Sequence, residues 1–255
     1  MNKPASIQVI DRSAALMDAI AGYAGPASLK LLSADTGLHP STAFRILAAL
    51  MHNGFVKRDS SGGYLLGSKL VQLANRVHHG VDIREEAHEI MATLRDELGE
   101  TINLTVREGD EVIYIERASP QRMMKVEQVI GSRAPLHVTA VGKLMLAELG
   151  DTYVQAYASR TGLPAYTDHT LVKVQDLLDE VHHARDNGFA FDNQEAEEGV
   201  GCIGVAVYDG SSRVIAGLSV SAPIERRRDE WIGLLRDAAR HLSLRLGYRG
   251  NAYAA

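Results

Sequence analysis

Apolar residues in the first 80 positions recur at helical intervals, and turn-forming residues cut the runs short. Ile7, Ile10, Ala14, Met17 and Ala21 step by three and four, which predicts a first helix with those residues on one apolar stripe. Gly22, Gly25 and Pro26 interrupt it. A second short helix is predicted over Ala27 to Thr36, with Leu29, Leu31 and Leu32 as its apolar content and Gly37 as a left-handed terminator. Pro40 opens a third helix, whose first turn has no partner for the N–H that proline lacks, and Asn53-Gly54 stops it. Phe55 to Arg58 and Tyr64 to Leu66 flank the turn DSSGG and predict a hairpin. Helical spacing returns from Ser68 to His79 through Leu70, Leu73, Ala74 and Val77.

Beyond Asp82 the pattern alternates between periods. Ile83 to Leu98 reads as a helix of mixed charge, Ile102 to Arg107 as a strand, EGDE as a turn and Val112 to Arg117 as the hairpin partner. Val126 to Ile130 is expected as a third strand, and Val141 to Glu148 and Leu171 to Asp186 as helices. CIGVAVYD and VIAGLSVSA, joined by GSSR, form the clearest hairpin. Glu225 to Leu246 closes the chain as an amphipathic helix, with Trp231, Leu234, Leu235, Ala238, Ala239 and Leu242 on one face. The expected class is α/β (α+β): three helices and a hairpin over 1–67, a linker helix over 68–81, and a mixed sheet packed by helices over 82–255.

Composition narrows the function. A length of 255 residues allows one large domain or two small ones, and 45% hydrophobic with 23% charged residues excludes long disorder. No run approaches the ~18 apolar residues of a membrane span. Asp11, Arg12 and Asp18 interrupt the first apolar stretch, which is unlike a signal peptide. With a single cysteine these features lead us to expect a cytoplasmic protein. The formal net charge of −5 is unevenly spread. Residues 1–80 hold eight Lys and Arg against four Asp and Glu, while the remainder holds 19 against 28. A basic front on an acidic body points to a polyanion met by the front alone.

The third helix supplies the chemistry for that partner. Ala43, Ile46, Leu47 and Leu50 share one face at helical spacing, which leaves Ser41, Phe44, Arg45 and Ala48 on another with Thr42 beside them. Short polar side chains at a helix start approach phosphates, Arg reaches base edges, and small neighbours let the helix enter a major groove. Lys57 and Arg58 on the hairpin would then act as a wing against the flanking backbone.

Five ordered segments resemble the IclR family of bacterial transcriptional regulators: TGLHPSTAFRILAALMHNGFV, GGYLLGSKLVQLA, GSRAPLHVTAVGKLMLA, FDNQEAEEGVGCIGVAVYD and GLSVSAP. The resemblance implies an N-terminal winged helix-turn-helix, a linker helix and a C-terminal effector-binding domain with a GAF-like fold. It implies a regulator rather than an enzyme. It also implies dimers or tetramers that sense small molecules, often organic or aromatic acids, and a dimer calls for a palindromic operator. Carried over residue by residue, it nominates the backbone amides of Ala140 and Val141, with Asp192, Cys202, Ser219 and Ser221, as the effector pocket. A helix start offers unpaired donors to an anion, and residues two apart on a strand share a side.

Competing chemistries use the same residues. Cys202 would be a nucleophile if His137 or His169 activated it and Asp192 oriented the base. Zinc held by Cys202, Asp192 and a histidine is the minor metal alternative, and a sensor that binds no DNA is another. Asp192 alone could cap a turn, and Arg226, Arg227 and Arg228 read as a solvated face at the start of the last helix. No GxxxxGK phosphate loop occurs.

Overall fold

In the computed structural model, which describes residues 7–78 and 82–250, the chain divides into two units, Met1–Val81 and Asp82–Ala255. The first unit runs α1 (Gln8–Ala21), α2 (Leu29–Thr36), α3 (Pro40–His52), β1 (Val56–Arg58), β2 (Tyr64–Leu66) and α4 (Ser68–His78). Residues 79–81, the end of the expected linker helix, lie outside the described residues, as do the side chains of Ala74 and Val77. Ser28 caps α2 by accepting the Leu31 amide at 3.3 Å, and Gly37 ends it at φ 66°, where a Cβ would be strained. Pro40 occupies the first turn of α3. Leu16, Ile20, Leu32, Ala43, Ile46, Leu47, Leu50, Val56 and Tyr64 form the core of the unit. Ala27 exchanges two backbone hydrogen bonds with Tyr64, at 3.0 and 2.8 Å, and so ties the α1–α2 connection to the hairpin.

The stripe expected on α1 is not the buried one. Ile7 and Ile10 are each 60% exposed, Ala14 and Ala21 are also exposed, and Met17 is half-buried. Leu16 and Ile20 face the core instead, on a line turned about 100° from the expected one. Both lines satisfy a 3.6-residue period, so periodicity alone does not choose between them.

The second unit contains α5 (Ile83–Leu98), β3 (Thr101–Glu108), β4 (Glu111–Ala118), β5 (Arg133–Pro135), α6 (Ala140–Leu149), α7 (Asp151–Thr161), α8 (Val174–Asn187), β6 (Phe189–Asn193), β7 (Val200–Tyr208), β8 (Val214–Pro223) and α9 (Trp231–Arg245). The strands form one sheet in the order β5-β4-β3-β8-β7-β6. The expected combination of helices and sheet is present, but every pairing is antiparallel, so the sheet is not mixed. Residues 126–130 form no strand; the third strand of that edge is β5. The 126–130 segment instead turns its polar groups inward, where Gln128 accepts from Asn103 through Oε1 and from Arg117 through its carbonyl, and leaves Val129 and Ile130 exposed. The last helix begins at Trp231, after a 3₁₀ turn over Ile224–Arg226.

The two faces of this sheet differ. Ile102, Leu104, Ile203, Val205, Val207, Leu218 and Val220 point to one side and pack against Met91 and Leu94 of α5 and Leu235 and Leu242 of α9. On the other side lie α6, α7 and α8, with a core of their own around Met145, Leu146, Tyr157, Leu177 and Val181. All residues from Ala140 to Ala147 are buried, as expected for a helix apolar nearly all round.

Candidate functional site

In the first unit, the outward face of α3 carries the residues expected to meet DNA. Ser41, Phe44, Arg45 and Ala48 are exposed, with Phe44 at 49%, and Thr42 is half-buried on the flank. Ser41 Oγ lies 2.8 Å from His39 Nδ1, which fixes the hydroxyl at the helix start. Lys57 is exposed on β1. Arg58 donates to the Gly62 carbonyl at 2.8 Å and stacks over Tyr64, so its guanidinium is held against the hairpin. No Asp or Glu occurs from Pro40 through Arg58. The surface therefore presents cations and hydroxyls without an acid to neutralise them.

In the second unit, antiparallel partners share a face, so the registers read directly as rows on the side of the sheet that α6 covers. Thr101, Ser221, Cys202 and Asp192 form one row across β3, β8, β7 and β6. Asn103, Ser219, Gly204 and Ala190 form the next, and Thr105, Gly217 and Ala206 a third. This side is polar or small where its reverse is aliphatic. α6 starts over it: a Cβ on Gly217 would lie 2.5 Å from Val141 Cγ1, and one on Gly204 2.9 Å from the Val141 nitrogen. Thr139 caps the helix by accepting the Gly142 amide at 3.1 Å, while the amides of Ala140 and Val141 precede any intrahelical acceptor. The structure thus brings together Ala140, Val141, Asp192, Cys202, Ser219 and Ser221, all buried.

Within this cradle Cys202 Sγ lies 3.2 Å from Ser221 Oγ, and Asn103 Nδ2 donates to Ser221 Oγ at 3.1 Å and to Gln128 Oε1 at 3.0 Å. Asn103 Oδ1 has no partner, although it is buried. Asp192 Oδ1 accepts the amides of Glu195 at 2.8 Å and Ala196 at 3.4 Å, so it does cap the turn after β6. Burial, reinforced by the Glu195 carboxylate, pushes the Asp192 carboxyl up to about 6 against the help of those amides and of Lys143. Lys143, fully buried on α6, donates to Glu195 Oε1 at 2.6 Å and to the Phe191 carbonyl at 2.8 Å. It fastens the start of α6 to the turn that carries Asp192.

Asn103, Gln128, Lys143 and Glu195 escaped the sequence reading. A lone lysine in the apolar run AVGKLMLA was the available signal, since such a cation needs a buried acid. Arg226 and Arg227 were also misread as solvated. Arg226 pairs with buried Glu100 at 2.7 Å, and Arg227 stacks on Phe191 and bonds Asn193. Gly199 to Gly204 spells G-x-G-x-x-G, but it runs into β7 rather than from a strand into a helix, so it is no phosphate turn.

The thiol-enzyme geometry is not assembled. Burial, then the charge of Asp192, pushes the Cys202 thiol up, the opposite of an activated nucleophile. His137 spends both ring nitrogens on Tyr157 and the Pro164 carbonyl, and His169 is exposed. Among the described residues no group of three or more His, Cys, Asp or Glu could hold a metal ion, and no helix is long and apolar enough to cross a membrane.

Residues 9–60 match the family profile of the IclR helix-turn-helix domain, and residues 75–244 that of the bacterial transcriptional regulator IclR C-terminal domain. The chain is 31% identical over 249 residues to the HTH-type transcriptional repressor AllR of Escherichia coli, covering 96% of this chain and 92% of that protein. The crystal structure of the Agobacterium tumefaciens repressor BlcR is similar with a TM-score of 0.76 and 28% identity, over 96% of this chain and 99% of that one. The C-terminal domain of the Escherichia coli transcriptional regulator KdgR matches with a TM-score of 0.59 and 33% identity, over 66% of this chain and 100% of that one. A helix-turn-helix with an acid-free outward face, followed in sequence by a domain that the second profile covers, makes this chain a member of the IclR family of bacterial transcriptional regulators.

Proposed function

We propose that the protein is a ligand-responsive repressor. Residues 1–67 bind DNA, 68–81 link, and 82–255 hold a small organic acid. Ser41, Thr42, Phe44 and Arg45 enter the major groove, and Lys57 and Arg58 meet the flanking strand. A dimer or tetramer presents two copies of α3 to a palindromic operator, whose half-sites are centred about 10 base pairs apart or a multiple of that. AllR and BlcR are both repressors, which supports repression over activation.

The observation that carries the reading is the stretch from Pro40 through Arg58, which exposes hydroxyls and cations without one acid. The effector side rests on the cradle, where the amides of Ala140 and Val141 and the hydroxyls of Ser219 and Ser221 lie on a buried polar surface. An acid bound there acts on operator affinity to the extent that it prefers one of two states of the protein.

Footprinting on the promoter of the adjacent operon tests the first half. Two protected half-sites are expected, and a single asymmetric one counts against it. A thermal-shift screen of short oxo, hydroxy and aromatic acids tests the second. The double variant Ser219→Ala, Ser221→Ala should lose the shift given by any acid that stabilises the parent. An unchanged shift places the ligand elsewhere.

A further inference from the structure

A groove of about 490 Å³ separates α1 from one flank of α3. Arg12 and Ser13 line it from α1, Thr42, Arg45 and Asn53 from the α3 side, with Phe55. Arg12 and Arg45 are its charged residues, and no Asp or Glu joins them. Arg12 is half-buried, yet its guanidinium has no hydrogen-bond, ionic or aromatic partner among the described residues. The half-buried arginines of the second unit behave otherwise. Arg117 holds the Gln128 carbonyl, Arg226 holds Glu100, and Arg227 holds Asn193. An arginine set in such a groove, with none of its five donors engaged by a described residue, is complementary to an anion from outside its own unit.

The helix geometry says which anion. The outward line of α3 passes through Ser41, Arg45, Ala48 and His52, all exposed. Thr42, Ala49 and Asn53 lie on the flank toward α1, together with the Arg12 side of the groove. A major groove about 12 Å wide admits one helix of about 10–12 Å diameter. When α3 occupies it, a helix packed alongside is left over the strand that borders the groove. That places Arg12 at phosphate level while Arg45 reaches base edges.

We propose that Arg12 is a DNA-backbone contact, so that α1 extends the nucleic-acid interface beyond α3 and the wing. The proposal rests on the DNA-binding reading above. It assigns Arg12 a role independent of sequence, because phosphates carry none of the base code. Asp11 does not cancel it by position, being turned about 100° around the helix.

Fluorescence anisotropy with a random-sequence duplex of about 30 base pairs, over about 50 to 300 mM KCl, tests this directly. Arg12→Met keeps the apolar stem and removes the charge. Each lost phosphate contact should lower the steepness of the plot of log affinity against log salt by about one, and weaken binding roughly fivefold near 0.15 M salt. The loss should be equal for unrelated sequences, and Arg12→Lys should restore most of the steepness. Met and parental proteins of equal affinity and salt dependence overturn the proposal. So does a Lys variant as weak as Met, since Arg12 would then serve packing rather than charge. A parental protein that binds no duplex removes the DNA reading itself, and that failure is visible in the same series.

Discussion

Asp192 shows how one side chain serves two roles. The amides of Glu195 and Ala196 favour its charge, while burial beside Glu195 opposes it, and burial wins. Its folded value of about 6 lies above the ordinary 3.8, so the native state keeps the proton longer than the unfolded chain does. The contribution to stability is complete below about pH 4 and is lost as pH rises through about 6. Asp192→Asn keeps an oxygen for both amides but cannot ionise. Between pH 4 and 7 the parent should lose about 2–3 kcal/mol relative to the variant, measured by urea unfolding. Parallel curves would show that Asp192 ionises freely. A carboxyl still protonated near pH 6 can also donate to a ligand carboxylate that a charged one would repel. At the other site, Arg45→Ala should weaken operator binding by about 1–3 kcal/mol and relax preference at one base pair, read by competition among mutated operators. Equal affinity and equal preference would exclude base reading by Arg45.

At the scale of elements, α6 is set by what the strands below it lack. Gly217 lies on β8 and Gly204 on β7, and a methyl on Gly217 would meet Val141 Cγ1 at 2.5 Å. Gly217→Ala should therefore destabilise the second unit by about 1–3 kcal/mol, lowering its melting temperature, because the helix must lift from the sheet. An unchanged melting curve would mean that α6 is free to slide. Strong local signals made many elements legible in advance. Pro40 and Asn53-Gly54 bracket α3, DSSGG and GSSR mark their hairpins, and α5 was read to the residue. β6 and α7 were passed over. FAFDN is a short strand adjoining a helix, and DTYVQAYASRT lacks a clean apolar stripe. Residues 126–130 have strand-like composition, yet their place is fixed by Gln128 and Arg117, contacts that no local pattern records. Likewise the six residues nominated for the cradle came from resemblance, whereas Asn103 and the Lys143–Glu195 pair needed the registers and the packing of α6.

On the scale of the whole molecule, each unit has its own apolar core, one around Tyr64 and one on either side of the six-stranded sheet. Residues 82–255 produced alone should fold with a single cooperative calorimetric transition, as the separately crystallised KdgR domain suggests for a similar fold. A chain that stays unfolded would mean that the first unit is needed for its stability. The sheet of that unit also keeps two jobs apart. Its aliphatic side packs against α5 and α9, while the other seats α6 at Gly204 and Gly217 and carries the hydroxyl and amide groups of Asn103, Thr105, Ser219 and Ser221 beside them. Under the proposed function, substitutions at Ser219 and Ser221, away from the glycines that seat α6, would retune which acid is recognised without dismantling the scaffold. A designer seeking a biosensor for a different inducer would leave the aliphatic side and the two glycines untouched and randomise the hydroxyl positions beside them.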